Sequence, residues 1–88
     1  MKYEVKMTRK ASKGVAKLPV KCRDVLARLL CDIRDFGPVQ PNYSHFSKLD
    51  EACFHCHLGY RWIACWRQIR GVFIVEVYYV GSRESAPY

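Results

Sequence analysis

The chain lacks any apolar run approaching the ~20 residues a membrane-spanning helix needs. Its basic first 20 residues are followed by no apolar h-region and no small-residue cleavage site, so neither a signal peptide nor a transmembrane helix is read from it. Its five cysteines (Cys22, Cys31, Cys53, Cys56 and Cys65) are odd in number. Without an export signal they argue against a disulfide framework and for a reducing, cytoplasmic setting. There is no internal repeat and no repeated Cys-x-x-Cys. A P-loop, a glycine-rich phosphate loop and a Ser/His/Asp order are all missing, and the carboxylates are too scattered for a paired acid–base site. With 88 residues the chain has room for one domain, 1–88, because a chain this short buries only about 60–65% of its unfolded surface. Apolar residues at 50% and charged residues at 26% are globular proportions and exclude a disordered or low-complexity chain.

Acidic residues are scarce at one end. Residues 2–23 hold eight basic side chains (Lys2, Lys6, Arg9, Lys10, Lys13, Lys17, Lys21, Arg23) against Glu4 alone, whereas residues 24–88 balance seven against seven. The net charge of +7 therefore resides in the first quarter of the chain. A charge gathered in this way suits a polyanionic partner, nucleic acid or an acidic protein, as well as it suits a solvated basic face.

Tyr3, Val5 and Met7 alternate with charged residues, which predicts a half-exposed strand over 2–7. Thr8 can cap a short basic helix over 9–17 that Gly14 weakens. Pro19 suits the first turn of a second helix. Cys22, Val25, Leu26, Leu29, Leu30, Ile33 and Phe36 give that helix one apolar stripe, ended by Gly37-Pro38. Asp24, Arg28 and Asp32 lie on its opposite side at i, i+4 steps and can pair, and Cys31 also falls off the stripe. Residues 37–50 read as a loop. Three β patterns follow, over 52–58, 60–68 and 72–80, with turns at Gly59 and Gly71. The last, apolar on both faces, suits a central strand. The order β-α-α-β-β-β makes an α+β fold in which both helices cover one sheet face and the other face stays open for a polar site.

His55 and His57 share that open side of their strand with Cys53. The three could chelate zinc, although no fourth ligand stands at a recognisable spacing. Alternatively the histidines are merely half-exposed, or they contact phosphate and move protons. Trp62, Trp66, Tyr60, Tyr78 and Tyr79 could stack on bases, but inside β patterns packing is favoured. Arg61 and Arg83 could each clamp a phosphate.

Lys17-Leu18-Pro19, Ser47-Lys48-Leu49, Gly59-Tyr60-Arg61 and the closing Val80-Gly81-Ser82-Arg83-Glu84 with Tyr88 recur in this order in one family. The chain resembles the RelE/ParE superfamily of bacterial toxin–antitoxin toxins, nearer the RelE-like branch, over almost its whole length. The resemblance implies a small twisted, mainly antiparallel sheet with two N-terminal helices on one face. It implies a ribosome-dependent mRNA endonuclease that uses no metal or other cofactor: the ribose 2′-hydroxyl attacks the adjacent phosphate and the 5′-oxygen leaves. It implies a partner antitoxin, acidic or DNA-binding, together with the ribosome and its mRNA, and no membrane. By the same match Lys48, His55, His57, Arg61, Arg83 and Tyr88 form the catalytic set. Lys48 and Arg83 would hold phosphate, a histidine would act as base, and Tyr88 or the second histidine as acid. Arg61 could instead be structural. The basic residues Lys10, Lys13, Lys17 and Lys21 would meet RNA. Two departures stand out: Asp50 occupies a position expected to be basic, and imidazoles replace lysines along the second strand. A ParE-like gyrase poison, or a non-catalytic RNA- or protein-binding module, would share the fold.

Overall fold

The computed structural model describes residues 2–69 and 73–87. Strand β1 (Glu4–Met7) is followed by helices α1 (Arg9–Val15) and α2 (Val20–Phe36). Strands β2 (Ser47–Lys48), β3 (Cys53–His57), β4 (Trp62–Ile69) and β5 (Ile74–Ser82) come next, and a 3-10 turn covers Arg83–Ser85. The five strands make one sheet in the order β1-β5-β4-β3-β2. β1 runs parallel to β5 and every other neighbour is antiparallel.

Local chemistry accounts for the helices. The Thr8 hydroxyl accepts the Ala11 N–H at 3.1 Å and opens α1. Gly37, at φ 99°, closes α2 by donating its N–H to the Ile33 carbonyl at 2.8 Å. Cys22, Leu26, Leu29 and Ile33 are the buried stripe of α2. They join Ala11, Leu18, Phe54, Cys56, Trp66, Val75, Val77 and Val80 in the main core between helices and sheet. Gly14 lies hard against β5: a Cβ there would stand 1.7 Å from the Val80 carbonyl oxygen. The buried Trp66 indole donates to the Pro38 carbonyl at 2.9 Å and pins the start of the loop behind α2.

The far face of the sheet is not bare. Ile63, Cys65 and Tyr79 form a second, small buried cluster with Tyr78 and Ala86 against it. A β-bulge pairs Cys65 with Tyr79 but Trp66 with Val77, so Tyr78 is the extra residue and both tyrosines meet this cluster.

The expected α+β order holds, with three adjustments. The 37–50 segment carries the short edge strand β2, because Ser47 and Lys48 pair with His55 and Phe54. The last two strands are displaced toward the C-terminus, to 62–69 and 74–82, and the Gly71 turn lies outside the described residues. On α2 no ion pair forms among Asp24, Arg28 and Asp32. Asp32 instead accepts the Tyr43 hydroxyl at 2.6 Å. Cys31 is exposed.

Candidate nucleic-acid interface

Strand β3 fixes the first two members of the site. Alternation sends Phe54 and Cys56 into the core and leaves His55 and His57 on the opposite side. His55 is 9% exposed and His57 is half-buried. Their rings lie 5.8 Å apart, nearly edge to face. The Ser47 hydroxyl meets His55 Nδ1 at 2.8 Å across the β2–β3 pair.

A third imidazole completes the group. His45, in the loop before β2, adopts φ 53°, a left-handed conformation that histidine enters more readily than most side chains. Its ring lies over His57 at 4.4 Å, and its Nδ1 meets the Ser44 hydroxyl at 2.9 Å. The Ser44 carbonyl accepts the His57 N–H at 2.8 Å, which holds the loop against the end of β3. Sequence reasoning passed over His45 because the segment read as a plain loop. The signal was its place two residues before the Ser-Lys-Leu element that forms the edge strand.

Burial lowers the affinity of His57 for a proton, and the neighbouring charges of His45, His55 and Arg83 lower it further. His55 is lowered chiefly by burial, with a hydrogen bond to the Ser47 backbone opposing and the charge of His45 adding to the fall. Both rings are therefore neutral near pH 7 and able to accept a proton.

The arginines arrive from the two ends of the β4–β5 hairpin. Arg83 donates its N–H to the Arg61 carbonyl at 2.8 Å, and its guanidinium lies 5.5 Å from the ring of exposed Tyr60. Arg61 forms an exposed ion pair with Glu84 at 3.4 Å, a contact that solvent screens. Arg83 remains the cation whose field reaches His57.

A second basic feature stands beside this one. Lys10, Lys13 and Lys17 line a cleft of about 450 Å³ with Trp62, Tyr79, Ser82 and Ser85, and the Lys10 ammonium lies 6.0 Å from the Tyr79 ring. The close approach of Gly14 to β5 carries these lysines to the C-terminal end of the sheet. Lys21 is exposed on α2 and is not among the residues lining that cleft.

No protein-family model matches the sequence, and no curated protein does. Solved structures do match in shape. RelE in the archaeal RelE–RelB complex of Pyrococcus horikoshii OT3 superposes with a TM-score of 0.78 at 17% identity, over 98% of this chain and 100% of that one. A free E. coli RelE carrying two arginine-to-alanine substitutions gives 0.76 at 21% identity, over 98% and 88%. The E. coli DinJ–YafQ toxin–antitoxin complex gives 0.69 at 13% identity, with all of both chains covered. The fold is that of the RelE-like toxins.

On this RelE-like fold the expected residues are only partly brought together. His55, His57 and Arg83 share one region, joined by His45. Lys48 stands opposite Phe54 in the β2–β3 register, so its side chain leaves the strand on the side away from the histidines. It lies close enough to Asp50 to help hold that carboxyl below the usual range, behind the hydrogen bonds from Ala52 and Cys53. Tyr88 lies outside the described residues. Trp66 and Tyr79 are buried, and Trp62 and Tyr78 half-buried, as packing requires, while Tyr60 alone is fully presented. The zinc grouping does not assemble: the Cys53 thiol is engaged by Asp50 and Tyr78. Among the described residues no three His, Cys, Asp or Glu side chains are placed to hold a metal ion. Nor is any described helix long and apolar enough to cross a membrane.

Proposed function

We propose that this protein is a RelE-like toxin of a toxin–antitoxin system that cleaves mRNA in the ribosomal A site of a bacterial cytoplasm. One observation carries the reading: three imidazoles and Arg83 gather at one end of the sheet, beside a cleft lined by three lysines. A structural surface has no need to crowd three titratable rings against a cation. Phosphodiester cleavage does, since it needs a neutral base, a proton donor and a fixed positive charge near one phosphate.

In the proposed reaction His57 takes the proton from the ribose 2′-hydroxyl as that oxygen bonds to phosphorus. The bond from phosphorus to the 5′-oxygen breaks, and His45 or Tyr88 returns a proton to the leaving oxygen. Arg83 holds the phosphate and offsets the added negative charge, with Arg61 bracing it. The chemistry calls for no metal ion of its own. Lys10, Lys13 and Lys17 would carry phosphate or ribosomal RNA, with Lys21 farther along the same basic surface. An antitoxin, acidic or DNA-binding, is the partner that this charge suits.

The test is primer extension on programmed ribosomes and on the same mRNA free in solution, with Arg83→Ala and His57→Gln variants alongside. We expect cuts on the ribosome only, lost in Arg83→Ala. They should be reduced about 10²-fold or more in His57→Gln, the scale of general base catalysis. Because both histidines are neutral to below the ordinary value near 6.5, activity should persist through pH 6.5 and fall only on further acidification. No cuts from folded protein would refute the nuclease reading, and a gyrase supercoiling assay would then test the ParE-like alternative.

A further inference from the structure

A second cleft, of about 380 Å³, opens between α2 and the loop ahead of β2. It lies on the helix side of β3 and outside the catalytic set, but His57 forms part of its wall. Val25 and Leu58 give it apolar surface. Arg28, Asp32 and Asn42 give it, in order, a fork of donors, a carboxylate and an amide. The carboxylate is held in place: the Tyr43 hydroxyl donates to Asp32 Oδ2 at 2.6 Å. Among the described residues no hydrogen bond reaches Oδ1, and Arg28, one helical turn earlier on the same face, forms no ion pair with it. A side chain of each charge sign lining one half-apolar recess makes a recognition surface for a flat polar ring.

We infer that this cleft reads a guanine base of the mRNA next to the phosphate held at the histidine cluster. Guanine presents adjacent N–H donors at N1 and N2, which a carboxylate accepts, and acceptors at O6 and N7, which an arginine donates to. Adenine, cytosine and uracil each lack one half of that pattern. Val25 and Leu58 supply an apolar surface for the ring, and His57 in the wall is the point from which the sugar and phosphate lead to the reacting atoms. The inference rests on the nuclease reading above for its substrate, but the binding chemistry is testable without cleavage.

The decisive experiment titrates isotopically labelled full-length protein with guanosine 5′-monophosphate, and separately with the adenosine, cytidine and uridine monophosphates, following backbone amide shifts. We expect guanosine monophosphate to shift residues 28–32, 42–44 and 57–59, and to bind about fivefold or more tightly than the others. Arg28→Gln, at an exposed position, should abolish that preference with the fold intact. Asp32→Asn should do the same, and Tyr43→Phe, which keeps the carboxylate and removes only its brace, should weaken it. Equal shifts from all four nucleotides, shifts confined to the α1 lysines, or no shifts at 10-fold molar excess or above would overturn the inference. Ribosomal cleavage across a codon library separates the two readings. Guanine-selective binding without cleavage removes the nuclease and keeps the cleft. Cleavage whose base preference is unchanged in Arg28→Gln removes the cleft and keeps the nuclease.

Discussion

Gly14→Ala is the substitution for which sequence and structure predict opposite signs. In an exposed helix, alanine is better than glycine by about 1 kcal/mol, and on sequence grounds Gly14 looks like a flaw in α1. In the fold, the new Cβ would stand 1.7 Å from the Val80 carbonyl oxygen and 2.8 Å from its carbon, where ordinary contact begins at 3.4 Å. The obstacle is backbone in β5, flanked by β1 and β4, so α1 must retreat by well over an ångström. Ala11 and Leu18, 0% and 2% exposed, then lose their seats. Overpacking of this kind costs about 1–3 kcal/mol and sometimes more, and the rigidity of the obstacle places Gly14 at or above the top of that range. After the propensity gain the net loss is about 2 kcal/mol or more, or roughly 8–16 °C or more in melting temperature for a chain of this size. Thermal unfolding followed by circular dichroism reads it directly, with Ser12→Ala, at an exposed neighbouring position, as a control expected to gain a few tenths of a kcal/mol. An increase in melting temperature for Gly14→Ala would refute the close packing of α1 on β5. It would also remove the reason for placing Lys10, Lys13 and Lys17 at the C-terminal end of the sheet.

Other outcomes follow from the same contacts. Trp66→Phe empties part of a fully buried site and strands the Pro38 carbonyl, so urea unfolding should show a loss of about 2–3 kcal/mol. Tyr43→Phe removes a hydrogen bond to a charged group at a half-buried position and should cost about 1–2 kcal/mol by the same assay. For His55 and His57 the folded state holds the proton less well than the unfolded chain. Their contribution to stability is thus complete above pH 6.5 and is lost as pH falls from there through their lowered values. The melting temperature should decline across that window, and more shallowly in His57→Gln; a wild-type slope retained in the variant would show that His57 does not titrate as its surroundings require.

What the sequence conveyed best was whatever repeats. The apolar stripe of α2 buries Cys22, Leu26, Leu29 and Ile33, although Phe36 at its end is exposed, and the alternation of β3 buries Phe54 and Cys56. Two-residue β2 has no period to read, and its pairing with β3 is a tertiary event that only the fold reveals. The same blind spot hid His45, whose ring reaches His57 through a left-handed turn that no spacing rule describes. Lys48 shows the opposite failure. A matching motif places it in the chain, but its register opposite Phe54 decides which way it points. Asp32 was read as one member of an exposed helical charge ladder, and became half of a buried-edge contact once the loop brought Tyr43 to it.

The separation of permanent from titratable charge follows from how the elements are made. The lysines sit on α1, a seven-residue helix whose exposed face they occupy because only one narrow side of it touches the sheet. They can supply electrostatic affinity for a polyanion. His55 and His57 sit where the fold desolvates them, and desolvation favours their neutral form. Had lysines stood at 55 and 57, charge and proton chemistry would fall on the same groups, and a base would have to be found by pushing an ammonium far below its ordinary value. With histidines there, the burial already present at the end of β3 is sufficient. Double substitution of Lys10 and Lys13 by alanine should therefore weaken association with ribosomes and flatten its salt dependence while leaving the pH dependence of cleavage where it was. His57→Gln should do the reverse. Movement of both properties together in either variant would mean that the two sets of groups act as one site.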